Sequence, residues 1–179
     1  MTAEQHGSER LSQSEAERLR EILQSQENTT AGFVAGALAA AIGAVAWAIL
    51  IVVTELLIGL MAMGIGVLVG FAVARFGKGI DTSFGIMAGV LALLGVAFGN
   101  VLGVAAFAAD GIAEIPNVLF DRMGPGGWVE VLAARQPLDF LFYGFAVYYA
   151  FLSAQRRVGM VEARQLLADG SSGGSPLLR

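Results

Sequence analysis

The chain has 179 residues, of which 56% are hydrophobic and 15% are charged, whereas a soluble domain usually carries about 25% charged residues. A soluble core of this length could not bury so much apolar sequence, and the net charge of −4 without a basic stripe argues against a nucleic-acid partner. The chain has no cysteine, which excludes disulfides, thiolate catalysis and cysteine-ligated metals, and the single histidine, His6, is expected to be solvated.

The first 30 residues are polar and predict a leader, not a cleaved signal peptide, because no apolar run follows a basic start. Ser14 and Glu17 have the spacing of a capping box with Ser14 as the N-cap. They predict an amphipathic helix over about 15–26. Its apolar stripe is too short to bind a membrane strongly by itself. The helix is expected to lie on the membrane or on a neighbouring helix, or alternatively to dock a cytosolic partner.

Four runs without charged residues organise the rest of the chain, and a helix needs about 20 apolar residues to cross a bilayer. They predict four membrane spans, at about 31–53, 56–75, 83–108 and 138–155. The fold class expected is all-α, an integral membrane four-helix bundle forming one domain over 31–155. A long outer loop is expected over 109–137, and a flexible cytoplasmic tail over 156–179.

Lysine and arginine residues near the span ends are unevenly distributed between the two sides of this arrangement. Seven lie on one side and two on the other: Arg18, Arg20, Arg75, Lys78, Arg156, Arg157 and Arg164 against Arg122 and Arg135. Cytoplasmic loops carry the excess of basic residues. The bias therefore predicts a multi-pass protein of the bacterial inner membrane with both termini in the cytoplasm.

Glycine is abundant, at 24 residues, and many glycines recur every four residues inside the spans. Small residues at this spacing let two helix backbones approach closely in a membrane. The candidate helix-packing residues are Gly66, Gly70, Gly95, Gly99 and Gly103. The ridge formed by the last three either packs against another helix of the same chain or provides a face for self-association.

Two polar residues inside or beside the spans are candidates for a function. Glu55 lies at the tip of the hairpin between spans 1 and 2 and is either solvated there or a buried site for a proton or cation. Asn100, in span 3, is expected to donate a hydrogen bond between helices, with a substrate contact as the alternative. Trp128, in the outer loop, is expected to rest at the level of the lipid headgroups. The sequence provides no catalytic, cofactor-binding or metal-ligating set.

Several stretches resemble a group of small uncharacterised bacterial membrane proteins with four spans, some of which carry an N-terminal zinc ribbon. These stretches are GAVAWA at 43–48, MAMGIGVLVGFAVAR at 61–75, GKG at 77–79, LDFLF at 138–142 and AVY at 146–148. This chain differs in lacking the cysteines of a zinc ribbon and in having Glu55 where the group commonly has glycine. The resemblance implies a four-span fold and no particular activity.

Together these features favour a non-enzymatic membrane scaffold or accessory subunit that associates through its glycine-rich helix faces. The alternative is a small channel or transporter assembled as an oligomer. An enzyme, or the lipid-facing subunit of one, is the third possibility. The partners expected are membrane lipids, further copies of the chain or other membrane proteins, with no nucleic acid, no soluble small-molecule substrate and no cofactor.

Overall fold

A computed structural model describes residues 11–54, 60–134, 137–156 and 158–172, and within these ranges the chain is helical without strands. The all-α class predicted from the sequence is confirmed. The helices of ten or more residues are α1 (Gln13–Ser25), α2 (Thr29–Thr54), α3 (Leu60–Gly77), α4 (Thr82–Ala108), α5 (Gly124–Ala133), α6 (Pro137–Ala154) and α7 (Met160–Ser172). The chain forms two compact units, Asn28–Arg156 and a smaller one from the segments on either side.

Three of the helices are long and apolar enough to cross a membrane, namely Thr29–Val53, Thr82–Ala108 and Pro137–Ala154. The apolar part of α3, Met61–Gly77, is shorter. These helices carry almost no charged residues and are rich in alanine, leucine and glycine, so their outer surfaces remain apolar throughout. The structure therefore supports helices of membrane-spanning type at three of the four predicted spans and a shorter apolar helix at the second.

α2, α3, α4 and α6 pack on one another, with the most extensive contacts between α2 and α4 and between α3 and α6. Their shared core is built mainly from alanine and valine with a few aromatic side chains. Fully buried members include Ala62, Val69, Val73, Ala88, Ala92, Val96, Ala146, Ala150 and Ala154. Small side chains in the interior bring the helix axes close together.

Two backbone hydrogen bonds bring several helix ends together. The Asn28 N–H, just before α2, donates to the Gly77 carbonyl at the end of α3, at 2.8 Å. The Arg156 N–H, after α6, donates to the Gly79 carbonyl at 3.1 Å. We call this region, where Arg75, Lys78 and Arg156 also lie in the chain, the basic end. α2 and α4 run away from the basic end, and α3 and α6 run towards it.

The segment after α4 is helical, so the prediction of a loop over 109–137 is wrong. It contains a 3₁₀ turn (Ile112–Glu114), a helical turn (Ile115–Asn117), a π-helix (Val118–Met123) and then α5. Gly124-Pro125-Gly126-Gly127 has a composition typical of turns, yet it begins α5. Proline within the first turn of a helix loses no hydrogen bond, and here it lies in the first turn of α5.

A small second core holds this segment against the end of α4. Val101 and Ala105 of α4 and Val118 and Leu119 of the π-helix are buried together. The indole N–H of Trp128 donates to the Leu119 carbonyl at 2.8 Å. Trp128 therefore links α5 to the π-helix by a hydrogen bond. The position of Trp128 in the sequence did not predict this bond.

The smaller unit contains α1 and α7, which contact each other, and it corrects two predictions. The N-cap of α1 is Ser12 and its capping-box partner is Glu15, not Ser14 and Glu17. Both pairs have the same spacing, so the pattern alone could not select between them. The second correction concerns 156–179: α7 occupies Met160–Ser172 where a flexible tail was predicted. Its buried Ala163 shows the apolar face that the prediction overlooked.

The capping box of α1 predicts an acid-sensitive helix start. The Ser12 backbone N–H, the Ser12 hydroxyl and the Arg164 guanidinium hold the pKa of the Glu15 carboxyl below its ordinary value of 4.5. A lowered pKa stabilises the folded helix above the ordinary value, and this stabilisation is lost as the pH falls through the lowered pKa. Glu15→Ala should therefore increase deuterium uptake in residues 11–20 at pH 7. Glu17→Ala is the control, and equal uptake in the two variants would contradict the assignment.

Candidate functional site in the helix core

The three glycines of α4 singled out by their spacing lie against α2 of the same chain. A Cβ atom built at Gly95 would lie 3.0 Å from the Cβ of Ala40, and one at Gly99 would lie 3.2 Å from the Cα of Ala44. One at Gly103 would overlap the side chain of Ile51. Contacts of 3.0–3.2 Å are tighter than a side-chain methyl group normally makes, so α2 and α4 lie unusually close at Gly95 and Gly99.

Gly66 and Gly70 of α3 lie against α6 in the same way. A Cβ at Gly66 would overlap the Ala146 carbonyl oxygen, and one at Gly70 would overlap that of Ala150. Both glycine-rich faces are thus covered by helices of the same chain. A second copy has no access to these faces while the four helices are packed, so the geometry agrees with the first of the two roles left open for the ridge, and association with partners stays a prediction.

Gly99→Leu should strongly destabilise the protein, because a leucine would push α2 and α4 apart. Overpacking a core by a few carbon atoms typically costs about 1–3 kcal/mol. Gly64→Leu is the matched control, since nothing lies within 4 Å of a Cβ built at Gly64. Thermal unfolding in detergent, followed by circular dichroism, measures both. A melting temperature lowered equally in the two variants would show that the α2–α4 contact is not the cause.

Asn100 joins α4 to α6 within this core. It is 2% exposed and is the one buried polar or charged residue among those the structure describes. Its side-chain N–H groups donate to the Val96 carbonyl at 3.0 Å and to the Tyr143 hydroxyl at 2.8 Å. The first bond lies within α4 and the second crosses to α6. The structure therefore places Asn100 at a contact between helices, the first of the two roles left open by the sequence.

Trp47 of α2 is a hydrophobic member of the core that also carries a polar indole N–H, and no role was predicted for it from the sequence. It is 4% exposed, and its indole N–H has no hydrogen-bond partner within the described parts of the chain. A Cβ at Gly99 would lie 3.2 Å from that of Trp47, so the ring packs where α2 and α4 are closest. An unpaired buried donor costs about 1–3 kcal/mol. The position of this tryptophan in the middle of a predicted span was the sequence feature that could have indicated a buried indole N–H.

The other candidates contribute nothing to a site that the structure describes. Glu55 and His6 lie outside the described residues, so the two interpretations of Glu55 both stay predictions. Within the ranges that are described, no group of three or more histidine, cysteine, aspartate or glutamate residues could hold a metal ion. What the core offers is hydrogen bonding and close packing.

Comparisons with family models, with curated proteins and with solved structures found no match to this chain.

The Asn100–Tyr143 hydrogen bond should couple α4 to α6 measurably. Such bonds in membrane proteins contribute about 0.6 kcal/mol on average and rarely more than 1.7. A double-mutant cycle with Asn100→Ala and Tyr143→Phe, followed by thermal unfolding in detergent, should give a favourable coupling energy of that size. Tyr148→Phe is the control on the same helix, because Tyr148 is 56% exposed. A cycle that gives no coupling would mean that this bond does not stabilise the protein.

Proposed function

We propose that this chain is a non-catalytic scaffold or accessory subunit of the bacterial inner membrane, with α2, α3, α4 and α6 crossing the bilayer and both termini in the cytoplasm. The observation that carries the proposal is the distribution of side-chain size. The interior of the four-helix unit is made mainly of alanine, valine and glycine, and many large apolar side chains are exposed on its surface.

The exposed surface of these helices would be unstable in water. Large apolar side chains more than half exposed occur on all four helices, among them Phe33, Leu38, Ile42, Ile49, Phe71, Ile86, Leu94, Phe107, Leu138 and Phe140. Soluble monomers rarely expose contiguous apolar patches larger than a few hundred Å². Lipid tails are as apolar as leucine, and helices surrounded by lipid associate through small residues. Both parts of this pattern are expected of a protein with lipid as its solvent.

The lengths of the helices are compatible with a bilayer. At 1.5 Å per residue, the 26 residues of α2 and the 27 of α4 span roughly 39 and 40 Å. The 18 residues of α3 and of α6 span roughly 27 Å each. The hydrocarbon core is about 30 Å thick, and small mismatches are accommodated by tilt or local thinning. α2 and α4 therefore extend beyond the hydrocarbon at the end opposite the basic end.

The charges of the described residues support the orientation. Arg75, Lys78 and Arg156 lie at the basic end, whereas Arg122 lies in the segment beyond the far end of α4, ion-paired with Glu114 at 2.6 Å. Basic residues favour the cytoplasmic side, which puts the basic end in the cytoplasm. Arg135 and Arg157 also entered the prediction from the sequence and lie outside the described residues.

The residue types buried in the core favour a structural role over coupled transport. A transporter commonly needs ionisable residues inside the membrane, whereas the buried side-chain polar groups named in the described core, the amide of Asn100 and the indole N–H of Trp47, are not ionisable at physiological pH. Binding to partners would use surfaces other than the packed glycine faces. Gly64 and Gly144 are candidates on the outer surface, since nothing lies within 4 Å of a Cβ built at either position.

Cysteine labelling in intact cells tests the proposed topology, and the natural chain has no cysteine to interfere. Gly126→Cys, in the segment after α4, should react with an impermeant thiol reagent added from outside. Lys78→Cys, at the basic end, should react only after the membrane is permeabilised. Both positions are exposed, so access to the reagent is decided by the membrane.

Two results would contradict the proposal. Labelling of Lys78→Cys from outside would overturn the orientation, and recovery of the protein in the soluble fraction would overturn membrane integration.

Reconstitution into vesicles tests the proposed role of the protein. A scaffold should produce no ion flux above that of empty vesicles. A flux that is abolished by Asn100→Ala, but not by Tyr148→Phe, would favour a channel.

A further inference from the structure

An apolar groove of about 610 Å³ lies between α2 and α4 at the end opposite the basic end. Val45, Ile49 and Val52 of α2 form one wall, and Leu102 and Ala106 of α4 form the other. The segment from Asp110 to Pro116 contributes the rest of the lining. Ligand-binding grooves in proteins have similar volumes, about 300–1,000 Å³, and are mostly apolar with a few placed polar groups.

Among the described residues that line the groove, Asp110 alone is charged, and it lies two residues after the end of α4. Its backbone N–H donates to a carboxylate oxygen of Glu114 at 3.1 Å. The other oxygen of Glu114 accepts a hydrogen bond from Arg122 at 2.6 Å. The charge of Glu114 is thus balanced by Arg122. No ion pair to the Asp110 carboxylate is found among the described residues, so the groove has an uncompensated negative charge beside an apolar interior.

We propose that this groove holds one acyl chain of a membrane lipid whose headgroup carries a primary ammonium group, with that ammonium bound to the Asp110 carboxylate. The proposal rests on the proposed membrane location of the chain. Two properties of the groove select this occupant: its apolar lining includes the acidic Asp110, and its wall residues Val45, Ile49 and Val52 are about half exposed, so it opens on the apolar surface of the helices.

The position of Asp110 relative to the bilayer agrees with this occupant. α4 has 27 residues, and about 20 cross the hydrocarbon core. The Asp110 carboxylate, two residues beyond the end of α4, therefore lies at the level of the headgroups, while Ile49 and Ala106 lie about one to three helical turns deeper. Ile112, beside Asp110, is 88% exposed. It would extend the apolar rim of the groove towards the lipid.

The headgroup, not the acyl chain, provides the selectivity. Lipid tails are as apolar as leucine, so an acyl chain gains little by moving from bulk lipid into the groove. A primary ammonium group carries three N–H donors for the carboxylate, and charge-assisted hydrogen bonds of this kind are among the strongest in proteins. A quaternary ammonium headgroup has no such donor, and an anionic headgroup without an amine is repelled by Asp110.

The test uses the full-length protein in detergent micelles with added phosphatidylethanolamine, phosphatidylcholine or phosphatidylglycerol of identical acyl chains. Native mass spectrometry counts the lipid that stays bound. The wild type should retain phosphatidylethanolamine about tenfold more strongly than either other lipid, the ratio that one charge-assisted hydrogen bond supports. Asp110→Asn should abolish this preference, and Asp110→Glu should restore part of it. Asp121→Asn, which alters an exposed carboxylate outside the groove lining, is the control.

Filling the groove should lower the binding of all three lipids. Ala106→Phe fills it from α4, and Ile49→Trp fills it from the exposed rim of α2 should the first variant fail to fold. Val90→Phe is the control on the outer surface of α4, where Val90 is 53% exposed. Thermal unfolding of each variant separates loss of the groove from loss of the fold.

Equal retention of the three lipids by the wild type would overturn the inference, and so would a preference that survives Asp110→Asn. A dimer that excludes all three lipids would identify a second copy of the chain as the occupant and would also overturn it. A chain that is found in the membrane but shows no headgroup preference refutes this inference alone. Recovery of the chain in the soluble fraction refutes the proposed function.

Discussion

Close contact between helix backbones is the interaction on which the four-helix unit depends. At Gly95 and Gly99 the backbone of α4 lies against α2, and at Gly66 and Gly70 that of α3 lies against α6. Dispersion between packed atoms is weak for each pair but large in sum, and for helices in lipid it takes over much of the role that hydrophobic burial has in water. The alanine and valine core follows from the same requirement, because larger side chains would separate the helices.

The polar groups of the core are few, and their placement follows from this packing. The amide of Asn100 can reach the Tyr143 hydroxyl because α4 and α6 are close. The side chain of Trp47 packs beside Gly99, and its N–H has no partner among the described residues. Such a core is suited to holding helices in a fixed arrangement, which is the property that a scaffold requires.

The segment after α4 gives the two ends of the four-helix unit different properties. At the basic end the helices are joined closely, by the hydrogen bonds of Asn28 with Gly77 and of Arg156 with Gly79. At the opposite end, α5 and the π-helix pack on α4 through a small core that includes Leu119 and receives the hydrogen bond from Trp128. The apolar groove lies at this second end, so the features that could recognise a ligand occur away from the tightly joined basic end.

The sequence by itself determined the helical class, the location of the long apolar helices and the glycines that lie between them. Uncharged runs and four-residue spacing are local properties, and they predict a helix and its packing face without knowledge of the neighbour. Only the tertiary structure decided which neighbour each face meets: the Gly95–Gly99 face could serve α2 or a second copy, and the fold assigns it to α2. The capping residue of α1, the helical nature of 112–133 and α7 were also missed. For the segment 112–133 and for α7, packing contacts that the local pattern does not contain accompany the helical structure: those of the π-helix with α4 and those of α7 with α1. For the cap of α1, two pairs of equal spacing were available, and the hydrogen bonds of Ser12 with Glu15 show which one is used.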